Sequence, residues 1–492
     1  MPMPIPERRK PRATLQEIAR RAMLERGLAP DFSPAAMAEV EAIREPSAAA
    51  SAKARDLRGL AWCSIDNDDS RDLDQLSVAE ALPGGSVRVL VAVAEVTALV
   101  RQGCALDDHA RTNTTSVYTA GGNFPMLPER LSTDLTSLNY RSERSAVVID
   151  MVFDARGSLA ESAIYEAAVI NKAKLAYNSI AAWIEGSGPM PEAVAAVPAL
   201  DANIMMQHRL AERLRELRHM RGALSLQTLQ ARPVFIGDAL HDLEPDQSNV
   251  AKSLIEELMV AANGVTARFL TSKNFPCVRR VVRTPAHWER IVELAAERGC
   301  SLPGAPDGIA LEAFLVEARK KDPAYFPDLS LCVIKLMGRG EYVVEAPGGD
   351  APGHFGLAVR EYSHSTAPNR RFPDMLIQRL VRAALAGSRQ PYSEGDLESL
   401  ALHCTEQENE AKKVERQVIK SAAAILLEAR IGEAFDATVT GVTDRGTWVR
   451  LGRPPVEGKL VSGPHPLKVG GRIRVKLVHT DVERGYIDFA AA

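Results

Sequence analysis

The sequence predicts a multidomain α+β protein with a small helical N-terminal domain, a large mixed α/β central domain and a C-terminal β-barrel of the OB type. Three observations lead to this fold class. The 492 residues are too many for a single hydrophobic core. Strand-like runs and long helical patterns mix without a clear break through residues 56–430. Residues 431–492 contain only short β-rich runs divided by Gly, Pro and Asp.

Residues 1–55 are expected to form the helical accessory domain. Thr14 is placed to cap a helix that Gly27 would end. A second helix is predicted to begin at Pro34, with Ser33 as its N-cap. The small, polar tract PSAAASAKARD then has the composition of a linker. A helix-turn-helix nucleic-acid module is one interpretation of these two helices.

Residues 56–430 are expected to form one mixed domain. The runs VRVLVAVAEV and AVVIDMVF predict strands, and SLIEELMVAANGVTARFL has the apolar spacing of a helix. Another helix is predicted to begin at Pro373-Asp374 and to end at Gly387, where start and stop signals are present. A further helical pattern, from Asp396 to about residue 430, would lead into the C-terminal domain.

Five β-rich runs in residues 431–492 predict a five-stranded OB barrel: FDATVTGV, GTWVRL, EGKLV, RIRVKLV and GYIDFA. A small β-sandwich or an SH3-like barrel with a protein partner is the alternative. The OB interpretation is favoured because the segment carries an aromatic side chain and cations of the kind that bind single-stranded nucleic acid, namely Trp448, Arg450, Arg472, Arg474 and Lys476.

The composition argues against a membrane protein, a secreted protein and a zinc site, but it does not identify a function. The net charge is −3, yet residues 441–480 carry eight Lys or Arg against two Asp or Glu, a local charge of +6. The apolar runs are far shorter than a membrane span and the N-terminus lacks a secretory apolar segment, so a soluble cytoplasmic protein is expected. The six cysteines and ten histidines lack zinc-ligand spacing, which leaves oxygen atoms as the ligands of any metal ion.

An acidic cluster is the clearest chemical signal in the sequence. The segment SIDNDDSRDLDQL places five aspartates within nine residues: Asp66, Asp68, Asp69, Asp72 and Asp74. Two ionised carboxylates 4 Å apart repel by roughly 4 kcal/mol at an effective dielectric constant near 20. Three or more converging carboxylates therefore need cations, protonation or separation, and Mg²⁺ is a cation that bridges one or two carboxylates to a substrate phosphate. A solvated Asp-rich turn or a calcium loop is the alternative on composition alone.

The acidic segment resembles the signature of the RNB catalytic domain in the RNase II and RNase R family. Further blocks are similar to this family in the same order: FPMLPERLS, INKAKLAYNSI, IEELMVAAN and HFGLAVREYSHSTAPNRRFPDM. The final β-rich segment resembles the S1-type OB domain of these enzymes, so the resemblance covers roughly residues 60–490. One position departs from the signature, because Gln75 stands where the family usually has Asp.

The resemblance implies a 3′-to-5′ exoribonuclease that hydrolyses single-stranded RNA to nucleoside 5′-monophosphates by a two-metal-ion mechanism. The expected ions are Mg²⁺, with Mn²⁺ as the alternative. Their ligands would be Asp66, Asp72, Asp74 and Gln75, and the first three, together with Arg370, would be catalytic. Because Gln75 carries no charge, a catalytically weakened RNB-fold RNA-binding protein is the alternative function.

Arg370 and Arg371 stand immediately before the helix predicted at Pro373. A helix N-terminus attracts phosphate through its free N–H groups, and an arginine pair at this point makes a phosphate clamp. Two solvent-facing arginines are the alternative from sequence alone. The resemblance assigns the catalytic role to Arg370 and leaves Arg371 as an RNA-binding residue.

The remaining predicted RNA-binding residues are Tyr118, Tyr177, Arg283 and Trp448. The resemblance implies that the two tyrosines lie near the 3′-terminal nucleotides. Arg283 falls near the position of a clamping aromatic residue in RNase II, and a guanidinium plane can stack on a base. The expected partners are single-stranded RNA and RNA that carries duplex segments. The protein is expected to be a monomer that does not bind membranes.

Overall fold

The structure is a computed structural model that describes residues 10–46, 54–227, 230–246, 248–444, 446–463 and 467–492. Thirteen strands of the described residues precede the C-terminal barrel: β1 (Arg55–Asp56), β2 (Cys63–Asp66), β3 (Gln75–Ala81), β4 (Val87–Ala94), β5 (Val117–Thr119), β6 (Gly122–Phe124), β7 (Glu143–Phe153), β8 (Leu159–Ile170), β9 (Ala173–Ala176), β10 (Gln230–Ile236), β11 (Ala239–Asp246), β12 (Cys277–Val281) and β13 (Glu341–Glu345).

The α-helices lie before, between and after these strands. In chain order, they are α1 (Pro11–Glu25), α2 (Pro34–Ala42), α3 (Ala105–Asn113), α4 (Tyr177–Ile184), α5 (Glu192–Ala195), α6 (Leu200–Met220), α7 (Val250–Ser272), α8 (Trp288–Ala296), α9 (Gly308–Lys321), α10 (Phe326–Met337), α11 (Phe372–Ala386) and α12 (Glu394–Leu427). None of the helices in the described ranges is long and apolar enough to cross a membrane.

A seven-stranded sheet forms the centre of the protein, in the order β1-β8-β7-β4-β3-β2-β9. Its middle is an antiparallel meander of β3, β4, β7 and β8, and β9 joins the edge parallel to β2. The apolar strand residues predicted from the sequence, such as Val89 to Ala94, are buried in the largest hydrophobic cluster. Helices α7 and α11 contribute to the same cluster, so the sheet has a covered face and the predicted α+β fold class is confirmed.

Local start and stop signals behave as expected at two of three helices. The Ser33 side chain accepts a hydrogen bond from the Ala36 N–H at 3.1 Å and Pro34 opens α2. Helix α11 begins one residue before Pro373 and ends at Gly387, whose φ of +65° is left-handed. The prediction for Thr14 is wrong, because α1 begins at Pro11, where proline needs no N–H partner, and Thr14 lies inside the helix.

The two N-terminal helices pack on different parts of the protein. Helix α1 lies against α12 and the β10–β11 hairpin, and its apolar residues share one hydrophobic cluster with α12 and the barrel. Helix α2 lies against α3 and joins the cluster of the central sheet. The division of the chain into domains at residues 55 and 430 remains a prediction.

The C-terminal residues form a closed five-stranded barrel, as predicted for an OB fold. Its strands, in the barrel order β14-β15-β16-β18-β17, are β14 (Ala434–Thr443), β15 (Gly446–Leu451), β16 (Glu457–Ser462), β17 (Arg472–Asp481) and β18 (Tyr486–Ala491). One expectation changes here. Arg450 forms an ion pair with Asp328 of α10, and both side chains are 11% exposed, so Arg450 joins the barrel to the helical region instead of facing RNA.

Candidate active site

The acidic segment is the connection between two adjacent strands of the central sheet. Strand β2 ends at Asp66 and β3 begins at Gln75, so the other aspartates lie in the intervening loop. Ser137 holds this loop from both sides: its Oγ accepts the Leu73 N–H at 2.9 Å and donates to the Arg71 carbonyl at 2.9 Å. The loop conformation is therefore fixed by long-range hydrogen bonds.

Asp74 is the most enclosed carboxylate of the cluster, with a side-chain exposure of 3%. Its Oδ1 accepts the backbone N–H of Asn369 at 2.9 Å, and its Oδ2 accepts from Arg370 Nε at 3.2 Å. Burial raises the pKa of Asp74 to about 7; the Arg370 charge opposes this rise and the Asp72 charge adds to it. The two residues given the most catalytic weight by the sequence are thus in direct contact.

Asp72 and Asp66 lie beside this pair with the two predicted tyrosines. The Tyr118 hydroxyl donates to Asp72 Oδ2 at 3.4 Å. Burial raises the pKa of Asp72, and the charge of Asp66 raises it further. Tyr177 opens α4 directly after β9, whose last residue pairs with Asp66. Burial and the Asp66 charge both raise the pKa of Tyr177.

Gln75 and the two aspartates Asp68 and Asp69 differ in their exposure. Gln75 is the first residue of β3, pairs with Val93 of β4 and is half-buried. Asp68 and Asp69 are exposed, and Asp69 lies 3.8 Å from Arg232 of the β10–β11 hairpin. These two carboxylates therefore face solvent and the hairpin.

Three of the predicted RNA-binding residues contact other parts of the protein and not the acidic cluster. Arg371 donates to Asp374 at 2.7 Å, and this carboxylate is fully buried, so the arginine is engaged by the protein. Arg283 is exposed and donates to Glu341 at 2.5 Å beside the β12–β13 ladder. Trp448 lies half-buried on β15 of the barrel, opposite Lys459. Their roles in RNA binding remain predictions.

The donor set of the cluster fits a divalent ion that also takes ligands from water and substrate. Within the described part of the chain, no group of three His, Cys, Asp or Glu residues is gathered closely enough to hold a metal ion by itself. Mg²⁺ is usually bound by one or two carboxylates, water and substrate phosphate, so a preformed three-carboxylate cage is not required. The charge of Asp66 raises the pKa of Asp72, and both carboxylates offer the hard oxygen atoms that such an ion prefers.

Sequence reasoning missed two residues that shape the site. The main-chain N–H of Asn369 holds Asp74, and its side-chain Oδ1 accepts from the Thr136 hydroxyl at 2.5 Å. Glu415 of α12 accepts the backbone N–H of Tyr118 at 3.0 Å. Asn369 stands beside Arg370 in the block TAPNRR, so its neighbourhood was visible in the sequence. The contact of Glu415 with Tyr118 spans 297 residues and left no local signal.

Comparison with known families agrees with this geometry. Residues 54–387 match the RNB domain, and residues 433–492 match the RNase II-type exonuclease C-terminal S1 domain. The chain is 29% identical over 473 residues to Ribonuclease R of Escherichia coli (strain K12), covering 88% of this chain and 57% of that protein. It is 31% identical over 420 residues to Ribonuclease R of Vibrio cholerae, covering 82% and 50%. The chain therefore spans about half the length of these relatives.

Solved structures share the fold. The apo form of Mycoplasma genitalium RNase R superposes with a TM-score of 0.86 at 22% identity, over 98% of this chain and 78% of that one. Yeast Ssd1, a pseudonuclease, gives a TM-score of 0.70 at 15% identity, over 89% and 54%. At these identities the likeness concerns the fold alone. Because the RNB match spans well over half of the sequence and carries the acidic cluster and Arg370, the chain belongs to the RNB-domain family.

Proposed function

We propose that this protein is a 3′-to-5′ hydrolytic exoribonuclease that degrades single-stranded RNA to nucleoside 5′-monophosphates. The observation that carries the proposal is the contact of buried Asp74 with Arg370, beside Asp72 and the Tyr118 hydroxyl. The family match and the Ribonuclease R relatives support the same activity.

RNB-family nucleases generally depend on divalent metal ions. We propose Mg²⁺, with Mn²⁺ as the alternative, held by Asp66, Asp72 and Asp74 together with substrate phosphate, and we retain Gln75 as a weak neutral ligand. When bound, two such ions would supply Lewis acidity at the scissile phosphate and a more acidic water. The specific ion and the number of ions are what the experiments must establish.

The protein's own side chains have separable tasks in this proposal. Arg370 lies two residues before α11, and its guanidinium would stabilise negative charge on the scissile group. Asp74 orients that guanidinium through the contact at Nε. In this proposal Tyr118, whose hydroxyl donates to Asp72, would contact the terminal nucleotide, and Tyr177 would do the same near Asp66.

The substrate class and the setting are also proposals. Solved structures of Mycoplasma genitalium RNase R include complexes with ribose-methylated single-stranded RNA and with double-stranded RNA. We infer by analogy that single-stranded RNA is the substrate here and that RNA with duplex segments is a second partner. We further propose a cytoplasmic monomer with domains at residues 1–55, 56–430 and 431–492.

A catalytically weakened RNA-binding protein is the second candidate. Gln75 favours it, because an amide replaces a charge in the acidic segment. The fold likeness to Ssd1 is compatible with it, since that protein is a pseudonuclease.

The deciding experiment uses 5′-labelled and 3′-labelled poly(A) with Mg²⁺, and an EDTA control. Stepwise release of mononucleotides from the 3′ end supports the exoribonuclease. Intact, retarded RNA would favour the binding protein, and internal fragments would show an endonuclease.

A further inference from the structure

The segment from Asn113 to Gly121 carries Tyr118 and is held at both ends by N-terminal residues. At its start, the Asn113 side chain is fully buried and makes two hydrogen bonds with the backbone of Ala29. Its Oδ1 accepts the Ala29 N–H at 2.7 Å and its Nδ2 donates to the Ala29 carbonyl at 2.8 Å. The loop that follows α1 is thereby fastened to the end of α3.

At the other end of the segment, Gly121 lies directly against the backbone of α1. A Cβ atom built on Gly121 would lie 2.4 Å from the Gln16 nitrogen and 2.6 Å from the Leu15 carbonyl carbon. Only glycine permits this approach, because the nearest atoms belong to main chain inside a helix and cannot rotate away. Apolar residues on both sides, Leu15 of α1 and Val117 of β5, belong to one buried cluster.

Between these two ends, the segment contacts the catalytic arginine through its backbone. The Ser116 N–H donates to the Arg370 carbonyl at 3.0 Å, and the Phe372 N–H donates to the Thr114 carbonyl at 2.8 Å. Two residues later the Tyr118 hydroxyl reaches Asp72. The same short segment therefore holds the main chain of Arg370 and carries the tyrosine that contacts the acidic cluster.

We propose that α1 and the loop after it are positioning elements of the active site, acting through Gly121 and Asn113 on Tyr118 and Arg370. This inference rests on the proposed function for its catalytic consequence. It goes beyond that function because it assigns a role in catalysis to residues that lie outside the RNB match, which begins at residue 54. A change at the contact with α1 is therefore expected to move Tyr118 and Arg370 relative to the acidic cluster.

The first test measures, without any RNA, how strongly the amides of the β5–β6 hairpin (residues 117–124) are protected from exchange. Gly121→Ala is compared with Gly59→Ala, a control at which an added Cβ meets nothing within 4 Å. Hydrogen exchange of the amides in residues 117–124 is followed in the full-length protein. Gly121→Ala is expected to speed their exchange while exchange in β4 and β7 stays unchanged. Equal protection in both variants would overturn the proposal, whether or not the protein cleaves RNA.

The second test is a double-mutant cycle with Tyr118→Ala, read on RNA affinity in EDTA and on cleavage rate in Mg²⁺. Gly121→Ala alone is expected to lower cleavage by roughly tenfold to a hundredfold, the range for misplacement of a catalytic group by about 1 Å. In the Tyr118→Ala background this effect should shrink, because the positioned group is already absent. Full additivity would show that Gly121 does not act through Tyr118 and would overturn the proposal.

A separate variant covers the case in which Gly121→Ala does not fold. Asn113→Ser removes the two bonds to Ala29, and also the 3.2 Å contact of Nδ2 with His109 Nε2, without adding volume at α1. It is expected to lower kcat more than it raises KM, and to speed exchange of the Ser116 amide that holds Arg370. Unchanged kcat and unchanged Ser116 exchange would contradict the proposal. A wild-type protein that binds RNA without cleaving it would defeat the proposed function and leave the affinity cycle as the readout.

Discussion

Asp74 Oδ2 lies 3.2 Å from Arg370 Nε, and the two residues are 296 positions apart in the sequence. The contact joins the end of the acidic loop to the segment just before α11, so it links a buried carboxylate to a guanidinium that can bind phosphate. A charge-assisted hydrogen bond of this kind fixes both partners. Changes on either side therefore affect two functional groups.

Replacing Asp74 with Asn should abolish hydrolysis while RNA affinity in EDTA stays within a few-fold of wild type. The amide is isosteric but carries no charge, and its NH₂ group can oppose the Arg370 N–H. We expect the rate to fall by roughly a thousandfold or more, which corresponds to several kcal/mol of barrier. Single-turnover cleavage measures this, with Asp68→Asn as the exposed control in the same loop. Activity within tenfold of wild type would remove Asp74 from the mechanism.

The two adjacent arginines should respond differently to lysine. Arg370→Lys keeps the charge but loses the Nε contact with Asp74, so kcat should fall by roughly a hundredfold, as for loss of one transition-state donor. Arg371→Lys breaks the pair with buried Asp374 and should mainly lower the melting temperature. Steady-state kinetics and thermal unfolding of both variants separate these effects. The reverse pattern would exchange the two roles.

Gln75→Asp should lower the Mg²⁺ concentration needed for half-maximal activity if Gln75 contacts a metal ion. An added carboxylate raises the negative charge of the site, and affinity for the ion should rise by roughly tenfold. Calorimetric titration of Mg²⁺ into the protein without RNA gives a readout that is independent of turnover. Gln75→Glu is the control, because it adds the same charge on a side chain that is one methylene longer than Asp. Identical titrations for wild type and both variants would show that Gln75 lies outside the metal site.

Neutralising one face of the barrel should reduce the salt dependence of RNA binding. Arg472, Arg474 and Lys476 alternate along β17 and are exposed, so they face solvent together. Removing the cation from one bound phosphate should reduce the log–log salt slope by about 0.7 for single-stranded RNA. The triple change to Gln is compared with Arg156→Gln, an exposed cation far along the chain from the barrel. An unaltered slope would place the electrostatic contacts in the catalytic domain instead.

Stability should fall in mild acid through His109. Burial lowers the pKa of His109 to about 4 from 6.5, and the charge of Asp31 opposes this shift only in part. The unfolded chain therefore takes up a proton near pH 6.5 and the folded protein only near pH 4, so stability present above pH 6.5 is lost as the pH falls towards 4. The shift corresponds to about 3 kcal/mol.

The measurement for His109 is chemical denaturation between pH 7 and pH 4.5. His109→Gln should reduce the change in the free energy of unfolding over this pH range by up to about 3 kcal/mol. His241→Gln, at an exposed position, should leave that change unaltered. Part of the dependence should survive in His109→Gln, because burial also lowers the pKa values of His354 and His364. Equal pH profiles for wild type and His109→Gln would show that this histidine does not control the acid stability.

Local signals in the sequence were sufficient wherever the structure is determined by neighbouring residues. Ser33 caps α2 through a bond three residues away, and Gly387 ends α11 with a left-handed φ. The period-two runs after residue 431 predicted the barrel strands for the same reason. Thr14 failed because Pro11 supplied a competing start signal one turn earlier.

Contacts between distant residues could not be predicted in this way. The family resemblance indicated Arg370 and Asp74 as members of one site, but not that the main chain of Asn369 holds the carboxylate. Arg450 had the composition of a nucleic-acid contact, yet Asp328 engages it across an interface that no local pattern encodes. Such pairings depend on how separate elements pack, which is a property of the whole chain.

The packing of α1 also has a consequence for biosynthesis. Arg21 of α1 forms an ion pair with Glu483 of the barrel, 462 residues later, and the apolar side of α1 is buried by α12 and the barrel. At about 5–20 residues per second, roughly 20 to 90 seconds separate the synthesis of Arg21 from that of Glu483. During that interval, the apolar side chains of α1 emerge from the ribosome without their native cover. The nascent chain therefore presents a hydrophobic segment that chaperones can bind until α12 and the barrel have been synthesised.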